Sequence, residues 1–430
     1  MQQSRDKGQP SLRPGALRFK ASRGMVLLLV VLPAVIVFGA GYFGFWFRKS
    51  HALAAASSHT VAIGQHGPGP ALLSAGPWGL LEAQPTFLRI PDECLQNFKP
   101  SAAPRWVFRG YSTSQVLSLF RSVGVSADTL ASLSNPDLWQ VEEQQVVLLP
   151  SPAVVLGLTP AQRGVVYTVL AQFPENTMQR APFFWRTKDE AEWLAQPVFT
   201  EQARTLVRRL AYPKGELSLL ADVELLAGAL SASGADVAGI LKELSRKPAI
   251  LPRLQIRPDT DVAAMMRYWG GAGLTKVMQP ALEAVSRIPQ GRMVSFLAVL
   301  PPFARQRLNT YPGSTDDDGR DGIWSAMNFF ADSVQPAPVD PVQWKNRLKA
   351  DYFPVFSDPR YGDILVISRP SGEVLQAGVY LADDLVFTRV GTTRWEPWTI
   401  MTLADLTEVS GIRALNGERP VISYYRNRIL

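Results

Sequence analysis

Residues 361–390 read YGDILVISRPSGEVLQAGVYLADDLVFTRV and contain three strand patterns in close succession. The ranges 363–368, 374–381 and 385–390 are rich in β-branched and aromatic residues, and turn-forming residues separate them. A fourth pattern of this kind lies at residues 421–426. Short connections join antiparallel strands, whereas parallel strands need long crossovers. The C-terminal third of the chain is therefore predicted to form an antiparallel sheet.

Helical patterns lie on the N-terminal side of this predicted sheet. Residues 323–333 predict a helix directly before it, and residues 158–250 predict a largely helical region. Thr159-Pro160 marks one helix start, because threonine caps a helix and proline suits the first helical position. Helices followed by an antiparallel sheet indicate an α+β fold class.

The N-terminal region predicts a membrane anchor. Residues 25–47 hold no charged side chain, and about 20 apolar residues in a helix span a bilayer core. Six basic residues precede this stretch and only Arg48 and Lys49 follow it closely, which predicts a cytoplasmic N-terminus and a periplasmic or extracellular C-terminal bulk. A buried core helix and a cleaved signal peptide are the alternatives. We expect a single-pass membrane protein that contacts lipid through residues 25–47.

The formal net charge of +7 comes from the N-terminal residues. Residues 1–50 hold 8 basic residues and 1 acidic residue, so residues 51–430 hold 36 of each. A balanced folded region gives no support for a polyanion, and no nucleic-acid partner is expected. Neither a glycine-rich phosphate loop nor a nucleotide fingerprint is present, and no cofactor is expected.

The composition limits cysteine and histidine chemistry. Cys94 is the single cysteine, which excludes an intramolecular disulfide; we interpret it as a buried thiol, and an intermolecular disulfide is the alternative. The three histidines, His51, His59 and His66, all precede residue 67. A zinc site of histidine and cysteine is therefore excluded from the later residues. A histidine-based catalytic triad is excluded there too, unless the linker supplies the base.

The last third of the chain resembles a known family. Residues 323–330 read IWSAMNFF, residues 361–366 read YGDILV, and residues 376–384 read QAGVYLADD. Together they resemble the core of NlpC-type, papain-like peptidases and amidases, which cut peptidoglycan stem peptides. In that family a cysteine opens the helix and a histidine begins a strand with the pattern His-x-Gly-Ile/Val-Tyr-Leu. The resemblance covers roughly residues 300–430 and implies a papain-like α+β fold.

The positions that the family uses for catalysis are occupied by other residues in this chain. The nucleophile position falls near Gly322 or Ile323, and the histidine position falls at Gln376. The family's chemistry needs a thiolate and an imidazole that accepts its proton. The resemblance therefore implies a degenerate domain, a pseudoenzyme in which Gly322 and Gln376 face each other across a cleft.

These patterns divide the chain into six predicted parts. In chain order they are a cytoplasmic basic tail (1–24), a transmembrane helix (25–47), a flexible linker (48–77), a small α/β domain (78–157), a helical region (158–253) and a degenerate NlpC-like α+β domain (254–430).

Ser325 is the one candidate for a substitute nucleophile. It would need Lys345 or Lys349 as its base, and no motif in the sequence supports that arrangement. A serine on the helix surface or at a helix cap is the alternative. A glycosidase-like pair of carboxylates also stays open, because such pairs come from distant positions and leave no local spacing.

An acidic stretch and several aromatic residues are candidates for binding. Asp316, Asp318 and Asp321 could hold calcium through carboxylate oxygens, although their spacing differs from the twelve-residue calcium loop and a solvated turn is the alternative. Aromatic side chains near the expected groove could bind a sugar or a peptide, and packing in the core is the alternative. These candidates for ligand binding are Trp324, Tyr361, Trp395 and Trp398.

The leading functional hypothesis is a membrane-anchored extracytoplasmic binding or scaffolding protein at the cell envelope, without catalytic activity. A cell-wall peptide or an envelope protein is the expected partner. The alternative is a cell-wall hydrolase of peptidase or amidase type that uses a serine or carboxylates.

Overall fold

The structure is a computed structural model that describes residues 71–73, 75–95, 104–270, 272–313, 319–335, 340–415 and 417–429. These residues belong to one compact unit. The basic tail, the helix predicted at residues 25–47 and most of the predicted linker lie outside the described residues.

The described chain contains both strands and helices. The strands are β1 (Ala71–Leu72), β2 (Leu80–Leu88), β3 (Trp106–Arg109), β4 (Trp139–Glu142), β5 (Gln145–Leu148), β6 (Phe183–Arg186), β7 (Tyr212–Lys214), β8 (Leu217–Leu220), β9 (Lys247–Ile256), β10 (Arg292–Ser295), β11 (Tyr352–Val355), β12 (Ile364–Ser368), β13 (Val374–Ala382), β14 (Leu385–Arg389), β15 (Trp398–Thr402) and β16 (Val421–Asn427). The helices are α1 (Asp92–Leu95), α2 (Thr113–Ser122), α3 (Ala127–Leu133), α4 (Pro152–Gly157), α5 (Pro160–Leu170), α6 (Thr177–Arg180), α7 (Glu190–Trp193), α8 (Glu201–Leu210), α9 (Val223–Ala232), α10 (Val237–Leu244), α11 (Val262–Trp269), α12 (Ala272–Ser286), α13 (Pro302–Arg307), α14 (Gly322–Asn328), α15 (Pro341–Asp351) and α16 (Leu403–Ser410).

The C-terminal strands form a six-stranded antiparallel sheet in the order β11-β16-β12-β13-β14-β15. The four strands predicted from the sequence are confirmed as β12, β13, β14 and β16. An ion pair joins β16 to the residue that precedes its neighbour β12, because Arg426 donates to Asp363 through Nε at 2.8 Å and through a terminal nitrogen at 2.7 Å. Leu365 contributes to one hydrophobic core and Ile364 to a second one. Both faces of the sheet are therefore covered, which explains its nearly continuous apolar strands.

The other strands form three further sheets in the described chain. One has the order β1-β2-β9-β10, with β2 and β9 paired antiparallel from Leu80 opposite Gln255 to Leu88 opposite Lys247. The remaining two are three-stranded sheets, β3-β5-β4 and β6-β8-β7. Strand β9 runs across the domain boundary that the sequence predicts between residues 253 and 254.

The predicted start of α5 is confirmed. The Thr159 hydroxyl accepts a hydrogen bond from the backbone N–H of Gln162, and the Gln162 side chain accepts one from the Thr159 backbone. This reciprocal cap satisfies two N–H groups that a helix start leaves without partners. Pro160 occupies the first helical position.

The predicted fold class is wrong in two respects. The region 158–253, which was expected to be helical, contains β6, β7, β8 and the first part of β9, so the fold is mixed α/β with several sheets. The strands in this region are short and lie next to apolar helical segments, so the periodicity of apolar residues does not distinguish them from helices. The second error concerns the membrane-spanning helix: in the described ranges, none of the helices combines the length and the apolar character needed to cross a bilayer. The predicted single-pass membrane localisation is corrected with it.

Candidate functional site

The start of α14 contacts β13 at the two positions that the resemblance singles out. Asp321 caps this helix, because its carboxylate accepts a hydrogen bond from the Trp324 backbone at 3.0 Å. A Cβ atom added at Gly322 would overlap the backbone oxygen of Ala377 and lie 2.9 Å from Gln376 Nε2. Glycine is therefore required here for the helix to approach the strand so closely. Gly322 and Gln376 therefore pack closely together, and the expectation that they face each other across a cleft is wrong. The space between them does not admit a nucleophilic side chain at Gly322.

Gln376 is held as a structural residue. Its side chain is buried, and Nε2 donates to Thr388 Oγ1 at 2.9 Å and to the Arg389 backbone oxygen at 2.8 Å. Thr388 Oγ1 in turn donates to the Ala377 backbone oxygen at 2.7 Å. An amide does not accept a proton near neutral pH, so Gln376 cannot act as a general base.

The Ser325 hydroxyl is buried and engaged in two hydrogen bonds. It donates to the Asp321 backbone oxygen and accepts from Trp398 Nε1, each at 2.8 Å. Lys345 and Lys349 lie on α15 with exposed side chains, and neither hydrogen-bonds Ser325 in the described part of the chain. The geometry thus provides no base for this serine.

A buried arginine holds the loop that follows β14. The guanidinium of Arg389 is fully buried and lies 4.6 Å from the centre of the Trp398 ring. It donates to four backbone oxygens, those of Arg320, Thr392, Thr393 and Glu396. Charged hydrogen bonds of this kind are stronger than neutral ones. Arg389 therefore ties residues 392–396 to the segment that precedes α14.

A buried ion pair lies beside the same loop. Lys247 Nζ is 2.7 Å from Glu396 Oε1, and the two side chains are only 4% and 2% exposed. The second carboxylate oxygen, Glu396 Oε2, is buried, and no described residue hydrogen-bonds it. Sequence reasoning missed both this pair and Arg389, because a charged residue in an apolar strand carries no local sign of its partner.

Of the aromatic residues proposed for ligand binding, the three tryptophans are buried and Tyr361 is partly buried. Trp324, Trp395 and Trp398 are each at most 3% exposed. Trp324 Nε1 donates to the Gln335 backbone at 2.8 Å, and the Tyr361 hydroxyl donates to the Val299 backbone at 2.9 Å. The structure therefore does not place these rings on an open surface.

Of the three aspartates proposed to bind calcium, one lies in the described part of the chain. Asp316 and Asp318 lie outside the described residues, whereas Asp321 caps α14, and burial raises the pKa of its carboxyl. Where the structure describes the chain, no group of three or more histidine, cysteine, aspartate or glutamate side chains is arranged to hold a metal ion. Cys94 is a buried free thiol.

A small cavity lies next to Gln376 in the described part of the chain. It measures about 10 Å³, which is room for roughly one water molecule. Two arginines contribute to its wall: burial lowers the pKa of Arg413 to about 10 and also lowers the pKa of Arg180. The further lining residues include Ala181, Pro182, Phe184 and Glu396.

Comparisons with protein-family models, curated proteins and solved structures find no match for this chain. The resemblance to NlpC-type enzymes therefore stays a prediction.

Proposed function

We propose that this chain is a non-catalytic binding or scaffolding protein built on a degenerate NlpC-like core. The observation that carries the proposal is the contact of Gly322 with Gln376, because a helix start meets a strand there without a nucleophile or a base. Cysteine-type hydrolysis needs both groups within hydrogen-bond reach. No histidine occurs between residues 67 and 430 to replace the missing base.

The position of the six-stranded sheet supports a scaffolding role. Leu365, Ile367 and Val386 contribute to a core with residues of the 90–244 region, whereas Ile364 and Val366 contribute to a core with residues of the 250–348 region. The sheet thus organises packing on both of its faces. A catalytic domain needs one accessible groove, but a scaffold needs only a rigid shape.

Digestion and sedimentation of peptidoglycan test the proposal. The full-length protein is incubated with purified insoluble peptidoglycan, soluble peptides are measured by mass spectrometry, and the protein in the pellet is measured in parallel. We expect no peptide release, and co-sedimentation would identify the cell wall as the partner. Peptide release that Ser325→Ala abolishes would instead establish a serine hydrolase and overturn the proposal.

A further inference from the structure

The face of the sheet beside Gln376 is covered by a segment from the middle of the chain. This covering segment, Arg180–Phe184, runs from the end of α6 into β6. Four of its five residues line the small cavity together with Gln376, namely Arg180, Ala181, Pro182 and Phe184. The fifth, Phe183, packs edge-on against Trp395 with ring centres 5.0 Å apart.

Close backbone packing and a charged contact hold the covering segment. A Cβ atom added at Gly391 would lie 3.2 Å from the Ala181 Cβ atom. Lys247 Nζ lies 4.6 Å from the centre of the Phe184 ring while it pairs with Glu396. A cation over an aromatic face contributes more when both groups are desolvated, as they are here. The ion pair and the aromatic contacts therefore act on the same segment.

The remaining space is far too small for an external ligand. Sites for small molecules typically occupy about 300–1,000 Å³, whereas about 10 Å³ remains beside Gln376. Phe183 and Phe184 are at most 3% exposed, so apolar side chains of the chain itself fill this space.

We propose that the covering segment Arg180–Phe184 is the resident ligand of the face beside Gln376 and keeps external peptides from binding there. The inference rests on the proposed function, since it explains what occupies the groove of a degenerate peptidase-like core. This resident ligand presents a small residue and a proline, followed by two aromatic residues, to the face beside Gln376.

A disulfide trap tests the contact directly. The variant Ala181→Cys/Gly391→Cys places two Cβ atoms near the separation that disulfides require, about 3.5–4.5 Å. Mild oxidation is expected to remove two of its three thiols, because Cys94 stays buried and reduced. The matched control is Ala181→Cys/Gly411→Cys, since no atom lies within 4 Å of a Cβ added at Gly411. Oxidation of the first pair no faster than the control pair would overturn the proposal.

Hydrogen exchange tests the occupancy. Phe183→Ala is expected to make residues 374–390 exchange at least roughly tenfold faster, because the segment loses its packing against Trp395. Phe120→Ala removes an equally buried ring elsewhere in the same core and should leave residues 374–390 unchanged. Equal exchange in the two variants would contradict the proposal, and the disulfide trap still decides it if Phe183→Ala does not fold.

A soluble peptidoglycan stem peptide provides the test of exclusion. Added to the wild-type protein, it is expected to leave hydrogen exchange at residues 374–390 unchanged, and protection of these residues would overturn the inference.

The two proposals fail separately. Peptide hydrolysis refutes the proposed function and leaves the disulfide result intact, whereas a failed trap refutes the resident segment and leaves the absence of hydrolysis intact.

Discussion

Lys247→Met removes one partner of the buried ion pair between β9 and the loop at residues 392–396. Lys247 donates a hydrogen bond to the Glu396 carboxylate at 2.7 Å, and Glu396 Oε2 has no hydrogen-bond partner among the residues that the structure describes. The variant therefore leaves a buried carboxylate without its counter-charge. Such a loss typically costs about 3–5 kcal/mol of unfolding free energy. Methionine keeps most of the side-chain volume, so little of this cost would come from a cavity.

Urea unfolding followed by circular dichroism measures the effect, with two comparison variants. Lys247→Met/Glu396→Gln removes both charges and is expected to recover most of the lost stability, because buried pairs contribute little net stabilisation. Arg347→Met breaks an exposed pair with Asp351 and should cost less than about 1 kcal/mol. A double variant as unstable as Lys247→Met alone would refute the reasoning, since the cost would then come from packing and not from charge.

Three other changes probe the fold and the site. Burial, together with two neighbouring aspartates, raises the pKa of Asp384 to about 7, so the folded protein binds this proton more tightly than the unfolded chain. The free energy of unfolding should therefore fall as the pH rises from about 4 to 7. Urea midpoints measured at both pH values should show that Asp384→Asn removes this part of the pH dependence. Gly322→Ala should lower the thermal midpoint by forcing α14 away from its strand, whereas Gly228→Ala, in an open position within a helix, should stabilise by about 0.5–1 kcal/mol. Trp398→Phe removes the hydrogen bond to Ser325, which contributes about 1 kcal/mol, and also leaves a cavity where the fully buried indole packs, so the unfolding free energy should fall by more than about 1 kcal/mol in the same assay; an unchanged midpoint would contradict this.

The C-terminal strands were predictable because their signal is local. Strand β12 begins one residue after the predicted position 363, and β16 ends one residue after the predicted position 426. Strand β15 was missed because it directly follows Trp395-Glu396-Pro397. The proline and the two nearby tryptophans made this stretch look like a connecting loop. Strand β6 was missed because four residues, FFWR, are too few to show a period.

The candidate site divides in the same way. The composition alone excluded a histidine from residues 67–430, and with it a histidine-based mechanism whose base comes from those residues. The burial of Trp324, Trp395 and Trp398 could not be predicted, because an exposed and a buried tryptophan have the same local pattern. Their partners come from other elements, as in the contact of Trp395 with Phe183.

The sequence by itself determined the strands of the C-terminal sheet, the cap of α5 and the lack of a cysteine–histidine dyad in the folded region. These features depend on residue type and on neighbours within a few positions. Tertiary structure alone decided that Gly322 packs against Gln376, that Lys247 pairs with Glu396 across 149 positions of the chain, and that Arg180–Phe184 covers the sheet. Such contacts form only when distant elements are packed together, because burial and charge pairing depend on three-dimensional neighbours that no local pattern specifies.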